Sequence, residues 1–557
     1  MNSKKMLMLL FVIFAVQLNA QQENVPLDNN VYTFLKEMNL KGVIKQIHDD
    51  SPNLSRDEVR ILLEEVSASK NQLSITESKL LQKYKDEFYD NDADSTNTFQ
   101  FFGSGFSNNY SDFFSNKIKH TYAYRKEKVN LYLETIGRFL YGQGIKPGVN
   151  NSELFDIGLR VHGTLFNGLG YSMTMQKGGV SGSQELAPTF DPRLNYNFKF
   201  VERLENIGNY DFTEGYLRYH TEPIEDMNLS FQIGREKIKL GYGYGSKLVL
   251  SGDHPYLDMI RTDFSYGILS FTSIAASTVG TFSFIRDDNY TKYLAYNKFK
   301  FSFDNFADFG IGEVVVYSGR GLDFAYLNPF AFYKYEEMSL QDRDNGVVFL
   351  DFQTRLIKNL ELQGTFYLDE NILSHLQEMN LFSNKTAYQL GAFWYSPFSI
   401  NDLSLIFEYT KIRPYVYSHT NEKNSYTAWA QNLGHRIGPN ADEIFAKASY
   451  NFNEWIRGNI EYQHVRSAEN IYDGLGNLIF NSGGDYMVPW REGIDAKYID
   501  YLEGERINQN IFTISFRIEP VREIYFDLLY KFVSQKNLTN KISENSSFAY
   551  LQMMFEF

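Results

Sequence analysis

The carboxyl-terminal end of the chain constrains its fold more than any other stretch. Counting back from the terminal Phe557, every second residue is apolar, namely Phe555, Met553, Leu551 and Ala549. This alternation is typical of a β-strand with one apolar and one polar face. Chain ends fray unless other parts of a structure hold them. A strand that continues to the last, aromatic residue is therefore expected to close a membrane β-barrel, where the terminal aromatics Phe557 and Phe555 would serve as the signal for the barrel-assembly machinery.

The amino-terminal end predicts export. Lys4 and Lys5 precede an apolar run from Met6 to Val16, and a small-residue cleavage site follows at Ala20. The run is too short to cross a bilayer, which takes about 20 residues per helix. Residues 1–20 are therefore predicted to be a signal peptide. We expect the mature protein to lie in the outer membrane without a helical anchor.

Composition supports a membrane barrel. The chain has no Cys, which excludes disulfides, thiolate catalysis and cysteine-ligated metals. It has 40 Tyr and 47 Phe, and yet its mean hydropathy is negative, at −0.37. A barrel with aromatic girdles and a polar lumen has this combination. The net charge of −14, which becomes −16 without the two lysines of the signal peptide, argues against nucleic acid as a partner.

Residues 30–90 predict a small helical module. Val31 to Met38 reads as a short helix, and capping boxes at Ser55 and Ser74 open two more. Residues 90–118 are rich in Asn, Asp, Ser and Gly, which is typical of a linker. We expect residues 21–118 to form a periplasmic helical module with its linker, and residues 119–557 to form the barrel.

From about residue 120 onward, every second residue is apolar in segments of about ten residues. This is the length of a β-strand that crosses a membrane at a tilt. Short turns alternate with long polar loops, as in barrels with short periplasmic turns. The predicted strands are 127–139, 153–166, 170–178, 211–221, 226–235, 265–274, 279–287, 292–303, 307–317, 345–356, 359–369, 386–396, 403–412, 441–451, 454–466, 508–518, 521–533 and 546–557. The sequence thus predicts an all-β, eighteen-stranded antiparallel barrel with both ends in the periplasm, closed by pairing of its first and last strands. It places Phe557 at the periplasmic rim, on the lipid face.

No motif predicts catalysis, a metal site or a cofactor. The glycine-rich stretch 241–245 lacks the Lys-Ser/Thr of a phosphate-binding loop. The nine His show no His-Glu-x-x-His spacing, and no Gly-x-Ser-x-Gly occurs. The acidic cluster Glu336, Glu337, Asp342 and Asp344 could supply the paired carboxylates of a glycosidase. Acidic loops on an acidic exported protein are usually only solvated, so we expect no enzyme.

The predicted outer loops are rich in aromatic side chains. The loop 413–440 carries Trp429, and the loop 467–507 carries Trp490 and Arg491 among several tyrosines. Aromatic faces stack on the apolar faces of sugars, while neighbouring polar groups hydrogen-bond the hydroxyls. The same residues could equally form an aromatic girdle or pack the loops over the barrel mouth.

Three stretches resemble a known family. The first, 234–255, runs from Gly-Arg through Gly-Tyr-Gly and Leu-Val-Leu-Ser to Asp-His-Pro. The second, 327–351, contains Leu-Asn-Pro, Phe-Tyr-Lys-Tyr-Glu and Asp-Asn. The third, 367–370, is Tyr-Leu-Asp-Glu. Their order and spacing are similar to those of the Wzi family of outer-membrane capsule-assembly proteins. Two positions depart from the family pattern, since Tyr242 stands where Trp is usual and Asp253-His254 replaces Asn-Ala.

The resemblance implies an eighteen-stranded barrel closed on its periplasmic side by helices, acting as a surface lectin for capsular polysaccharide. Taken with the aromatic loops, it predicts a set of polysaccharide-binding residues: Tyr242, Tyr244, Asp253, His254, Asn328, Tyr333, Tyr335, Glu336, Trp429, Trp490 and Arg491. The helical module is similar to S-layer-homology-like segments, which leaves open whether it binds periplasmic cell-wall polymer or plugs the barrel.

The leading hypothesis is a non-enzymatic, monomeric barrel that holds capsular or exopolysaccharide at the cell surface. Its predicted partners are this polysaccharide, outer-membrane lipid and the barrel-assembly machinery. The alternative is a saccharide-selective porin whose lumen is lined by charges of both signs: Asp156, Arg160, His162, Arg457 and Glu461. A third, weaker hypothesis is a surface hydrolase that uses Glu336 or Glu337.

Overall fold

The computed structural model describes residues 21–89, 98–103, 110–126, 128–197, 207–281, 288–303, 306–341, 343–369 and 378–557. The predicted signal peptide lies outside the described residues, and so do Asp342 and Glu370. Within the described chain, no helix combines the length and the apolar character needed to cross a bilayer.

Eighteen long antiparallel strands in the described residues form a closed barrel. Each strand pairs with the next along the chain, and the last pairs with the first, so the predicted strand count and topology are confirmed. The strands are β1 Val129–Lys146, β2 Asn150–Leu165, β3 Leu169–Gly182, β4 Ile207–Thr221, β5 Met227–Glu236, β6 Leu257–Tyr266, β7 Leu269–Val279, β8 Thr291–Phe303, β9 Ala307–Ser318, β10 Asn345–Ile357, β11 Leu360–Asp369, β12 Thr386–Tyr395, β13 Leu403–Ile412, β14 Ala441–Asn453, β15 Ile456–Glu469, β16 Glu505–Val521, β17 Ile524–Asn537 and β18 Ile542–Glu556.

Two predicted strands, 265–274 and 279–287, are wrong in their position along the chain. The structure places β6 and β7 about eight residues earlier and joins them by a turn at Gly267 and Ile268. Gly267 has φ +56°, a left-handed conformation that glycine adopts without a steric penalty. Because the turn sits inside the stretch that was predicted as a single strand, both neighbouring strands were displaced.

The chain termini and the short turns define one end of the barrel, which is the periplasmic end in barrels of this class. The strand ends that the longer connections join lie at the other, extracellular end. These connections are 183–206, 237–256, 280–290, 319–344, 370–385, 413–440 and 470–504. Two connections at that end are short, at residues 147–149 and 538–541.

In the described residues ahead of the barrel, three α-helices form as predicted: α1 Val31–Leu40, α2 Arg56–Ala68 and α3 Ile75–Phe88. Ser55 and Ser74 form complete capping boxes with Glu58 and Glu77. Their apolar faces share one core that also contains Phe393 and Tyr395 of β12. Three further short helices are Ala187–Phe190, Leu194–Asn197 and Tyr333–Ser339.

Residues 21–89, here called the plug, fill the periplasmic half of the lumen. Their polar side chains bind inward-facing residues around the wall: Glu37 Oε1 accepts from Ser404 Oγ at 2.9 Å, and Lys36 Nζ donates to Glu361 Oε2 at 2.7 Å. Arg218 Nη1 donates to Asn24 Oδ1 at 2.7 Å. Of the two roles left open for the helices, the structure thus shows the plug.

The deepest part of the plug is an ionic cluster. Asp50, only 2 % exposed, lies 2.7 Å from the ammonium of Lys298 and also pairs with Lys300, both on β8. Lys298 pairs in turn with Asp351 of β10. Since breaking a buried pair leaves an uncompensated charge, these contacts fix the plug firmly against the wall.

The chain end is held on both sides. Phe557 exchanges backbone hydrogen bonds with Thr135 of β1, which confirms the predicted closing pair at the short-turn rim. Its ring contacts Phe101 and Phe113 at centroid distances of 5.4 and 5.5 Å. The segment predicted as a linker therefore contains ordered structure in its described parts, including a parallel pairing of Thr98–Gln100 with Ile118–His120.

Candidate functional site

The loop of residues 237–256, here called the inner loop, turns into the lumen instead of standing above it. Leu240, Leu248, Val249 and Leu250 are all fully buried, and Leu240 and Leu250 exchange backbone hydrogen bonds of 3.0 and 3.2 Å. At Gly243, φ is +145° and a Cβ would lie 2.4 Å from the carbonyl oxygen of Ser246. The glycine-rich stretch thus permits a tight fold of the chain inside the barrel.

The inner loop rests on the plug. The backbone N–H of Gly241 donates to the carbonyl oxygen of Asp50 at 2.8 Å, and Lys247 Nζ donates to that of Asp49 at 3.2 Å. Burial lowers the pKa of Lys247 to about 8. On the opposite wall, Glu408 accepts from the backbone N–H groups of Tyr244 and Gly245 at 2.7 and 3.1 Å. The lumen is therefore filled from both ends.

The loop of residues 413–440, here called the cover loop, lies over the inner loop. Tyr417 Oη donates to the carbonyl oxygen of Leu248, and Tyr426 Oη to that of Val249, each at 2.9 Å. Their rings are stacked at 5.5 Å in an apolar core with the inner loop. Because both tyrosines are fully buried, they pack the loops together, as one of the two interpretations of the aromatic loops requires.

The loop of residues 470–504, here called the outer loop, forms the next layer. Asn440, fully buried at the end of the cover loop, donates from Nδ2 to the carbonyl oxygens of Ala468, Ser482 and Glu503 at 3.0–3.2 Å. Its Oδ1 accepts from the backbone N–H of Leu502 at 2.8 Å. One side chain thus fixes both ends of the outer loop to the rim.

The outer loop carries an aromatic pair near the solvent. Trp490 stacks on Phe382 of the β11–β12 connection, with ring centroids 3.9 Å apart and planes inclined by 11°. The indole N–H donates to the carbonyl oxygen of Ala496 at 3.0 Å. The indole is therefore held in one orientation and is only partly buried, as is usual for an aromatic platform.

Polar and charged groups surround this pair. Arg491 forms a 2.7 Å ion pair with Asp495, and Tyr498, which is 56 % exposed, donates to Glu378 at 3.0 Å. Partial burial would raise the pKa of Asp495, but hydrogen bonds from Arg491 and Asn481 hold it below the usual value. We call Phe382, Trp490, Arg491, Tyr498 and Glu378 the outer platform.

Of the sequence-predicted site residues, Trp490 and Arg491 lie together on the outer platform. Three others lie inside the barrel: Tyr242 is 2 % exposed, Tyr244 donates from Oη to Glu361 at 2.9 Å, and His254 is buried, which lowers its pKa to about 4. In this conformation these three do not reach a polymer at the cell surface.

The remaining predicted residues are dispersed. Asn328, Tyr333, Tyr335 and Glu336 lie in the β9–β10 connection, which packs against the outer wall of the barrel. Asp253 is exposed at the end of the inner loop. In the cover loop, the backbone N–H of Trp429 donates to the carbonyl oxygen of Val279 at 2.7 Å. The predicted set therefore does not form a single site.

Sequence reasoning missed Glu378 and Phe382, because the β11–β12 connection was not among the predicted binding loops. The gap of sixteen polar-rich residues between two clear strands was a usable signal. Its contacts with the outer loop, such as the hydrogen bond from Asn380 Nδ2 to Asp500 Oδ1 at 2.6 Å, join residues distant in sequence. Spacing along the chain does not reveal such contacts.

The charges proposed to line a pore are engaged in ion pairs. Arg138 binds Asp156 at 2.7 Å, and Arg457 binds Glu37 of the plug at 2.9 Å. The remaining three of these residues are also paired: Arg160 with Glu556, His162 with Glu134 and Glu461 with Lys447. A cavity of about 520 Å³ remains between the plug, the inner loop and strands β11–β18.

The carboxylates proposed for hydrolysis lie on the outer wall, away from the outer platform. Glu337 is buried and pairs with Lys334 at 2.7 Å. In the described part of the chain, no group of three or more His, Asp or Glu side chains is placed to hold a metal ion.

A closed antiparallel barrel of eighteen strands, with a plugged lumen and layered extracellular loops, defines an integral outer-membrane protein. The chain belongs to the family described as capsule assembly protein Wzi, whose model matches residues 72–548. The family resemblance inferred from the three sequence stretches is thus confirmed.

The fold is similar to that of Wzi from Escherichia coli, described as a carbohydrate-binding β-barrel involved in group 1 capsule assembly. The identity is 11 %, the alignment covers 96 % of this chain and 99 % of that one, and the TM-score is 0.54. OccD3 of Pseudomonas aeruginosa aligns over 77 % of this chain and 91 % of its own at 11 % identity, with a TM-score of 0.42. No functionally curated protein matches the chain.

Proposed function

We propose that this protein holds capsular or exopolysaccharide at the cell surface without cleaving it, and that the outer platform is the contact site. The observation that carries the proposal is the rigid Trp490–Phe382 stack at the solvent-facing layer of the loops. Family membership supports it, as does the carbohydrate binding described for the Escherichia coli protein of the same fold.

The chemistry of the outer platform suits a sugar polymer. Trp490 and Tyr498 offer apolar faces, on which the C–H faces of a pyranose pack. Arg491 supplies donors, Glu378 supplies acceptors, and Tyr498 supplies both. Because Asn440 and the Phe382 stack already order this surface, little conformational entropy would be lost on binding.

Binding of purified polysaccharide from the native strain to the refolded protein tests the site. We expect Trp490→Ala to weaken binding about tenfold, since an aromatic contact is worth about 1 kcal/mol beyond its buried area and 1.4 kcal/mol is a factor of ten. Tyr498→Ala should act in the same direction. Phe324→Ala, which removes an exposed ring on the outer wall, serves as the matched control and should bind normally. Equal binding by all three variants would contradict the assignment.

A cellular experiment tests the function itself. A strain without the protein should shed polysaccharide into the medium, and the Trp490→Ala, Tyr498→Ala double variant should fail to restore its retention. Retention of the capsule by the deletion strain would rule the function out, whereas rescue by the double variant would rule out only the site.

The porin alternative keeps one supporting observation, the lumen cavity of about 520 Å³ lined by residues of both signs. Purified protein in planar bilayers separates the two functions. The binding function predicts no ionic conductance, because the plug, inner loop and cover loop occupy the lumen in succession. Steady conductance would favour the porin.

A further inference from the structure

The described residues 319–341 of the β9–β10 connection, here called the wall segment, lie on the outside of the barrel. Along β8, Lys298 and Lys300 face the plug, so the alternating Ala295, Asn297 and Phe299 face outward. Asn297 Oδ1 accepts from Tyr333 Oη at 3.0 Å, and its Nδ2 donates to the carbonyl oxygen of Ala331 at 3.3 Å. The wall segment therefore turns back over the face that a barrel presents to lipid.

The contact between the wall segment and the barrel is extensive. A separate buried cluster joins Tyr326 and Tyr333 of the segment to Ala295, Val315 and Tyr317 of the outer wall. Further along, Phe330 stacks on Phe271, with centroids 5.4 Å apart and planes inclined by 13°. Phe271 is the third residue of β7 after the short turn at Gly267, so the segment reaches far down the wall.

Several polar groups of the wall segment are hydrogen-bonded within the protein. The backbone N–H of Tyr333 donates to Glu313 Oε2 at 2.7 Å. The carboxylate of Glu313, on the outward face of β9, thus has a hydrogen-bond donor from the segment. Backbone N–H groups of Ala325 and Phe330 donate to the side chains of Asp323 and Asn328, and Arg320 binds Asp344 at 2.8 Å. Irregular backbone near lipid is tolerated only where its hydrogen bonds are made within the protein.

The opposite face of the wall segment is aromatic and open. Four large side chains of the segment are exposed, by 84 % for Phe324, 72 % for Phe330, 58 % for Phe332 and 74 % for Tyr335. A contiguous exposed apolar patch marks an interaction surface. This patch is continuous with the exposed Phe301, Phe309 and Ile311 of the surrounding wall, and that wall is the protein's interface with the membrane.

We propose that the wall segment is embedded in the bilayer along the barrel wall, where Phe324, Phe330, Phe332 and Tyr335 contact lipid acyl chains and their headgroup boundary. Aromatic side chains favour this interfacial region. The partner is the lipid surface, because the segment lies against the lipid-facing wall and exposes apolar rings. The proposal does not depend on polysaccharide binding.

Site-directed spin labelling tests the proposal, since the chain has no native cysteine. Single variants Phe332→Cys and Tyr335→Cys are labelled with a nitroxide in protein reconstituted into bilayers, and collisions with oxygen and with a water-soluble nickel complex are measured. Ile311→Cys on β9 is the lipid-facing control. Leu475→Cys, at an 89 % exposed position of the outer loop, is the aqueous control.

We expect the oxygen-to-nickel accessibility ratio at 332 and 335 to match that at 311 and to exceed that at 475 several-fold. A ratio like that at 475 would overturn the proposal, because the segment would then stand in water. Loss of access to both reagents, with spin–spin broadening, would also overturn it and would indicate a second copy of this chain on the patch. All four positions are exposed, so the labels do not disturb the core.

Discussion

His48 illustrates how the lumen sets the charge of a single side chain. Its Nδ1 lies 2.8 Å from the ammonium of Lys300, and this charge together with burial lowers the pKa of His48 to about 4. Asp50, Glu58 and Asp49 oppose the effect only in part. The plug therefore docks with a neutral histidine beside a cation.

The protonation of His48 predicts a pH dependence of plug docking. An unfolded histidine has a pKa of about 6.5 and binds a proton below that pH, whereas the docked His48 stays neutral down to about pH 4. Docking should therefore weaken as the pH falls from 6.5 to 4. The loss of docking free energy should be at most about 3 kcal/mol. Lys83 lies 4.5 Å from the ring centroid of Trp455, so the fluorescence of Trp455 reports docking in a variant whose other tryptophans are phenylalanine.

Guanidinium titrations at several pH values measure this slope. His48→Gln keeps an acceptor for Lys300 and cannot titrate, so its midpoint should change less over the same range. The same slope in both proteins would mean that other groups, such as the buried His254 of the inner loop, cause the pH dependence.

At the residue scale, the sequence predicts chemistry better than location. Trp490 and Arg491 lie where an exposed loop was expected. Tyr242 does not, because Leu248, Val249 and Leu250 pull the inner loop into the lumen. Three consecutive apolar residues in a supposedly exposed loop were the available signal. The pairing of Tyr498 with Glu378, by contrast, depends on tertiary contact between two distant loops and has no local signature.

At the scale of elements, the plug is held by polar contacts around the wall, and Asp50 makes several of them. Asp50 binds Lys298 and Lys300 through its carboxylate and accepts from Gly241 of the inner loop through its carbonyl oxygen. The same residue therefore joins the plug to the wall and to the loop above it.

Asp50→Asn should loosen the plug. It removes the acceptor charge between two buried ammonium groups, and breaking a buried pair in this way costs about 3–5 kcal/mol. Planar bilayer recordings should then show openings that the wild type lacks. Asp28→Asn, at an exposed position of the plug, is the control and should stay silent. If Asp50→Asn showed no more channel openings than the wild type, the other plug contacts would be enough to hold the plug in place.

Strand prediction succeeded where alternation was uninterrupted and failed at the apolar turn between β6 and β7. The capping boxes at Ser55 and Ser74 gave the starts of α2 and α3 because capping is a local property of four residues. The turn at Gly267 was missed because Ile268 and the flanking residues are as apolar as a strand. The inward course of the inner loop depends on its contact with the plug, about two hundred residues earlier in the chain.

For the whole molecule, closure depends on the seam between β1 and β18. Met553 faces Phe139 and Phe555 faces Gly137 across this seam, and Phe557 pairs with Thr135 at its end. Phe101 and Phe113 then cover the terminal ring. The carboxyl-terminal aromatics thus lie at the junction on which the closed ring depends.

The predicted role of Phe557 in assembly gives a whole-molecule test. Phe557→Ala should lower the amount of protein in the outer membrane several-fold, as measured by surface labelling and heat-modifiable mobility. Leu551→Ala, on the same face of β18, is the matched control and should assemble at nearly the normal level. Equal levels of the two variants would contradict a recognition role for the last residue.

The stacking of plug, inner loop and cover loop has a consequence for communication across the envelope. The inner loop rests on the carbonyl oxygens of Asp49 and Asp50, and the cover loop rests on the inner loop through Tyr417 and Tyr426. A periplasmic factor that withdrew the plug would remove the contacts that support the inner loop and, through it, the cover loop. A change on the periplasmic side of the barrel would then alter the loops that face the outside of the cell.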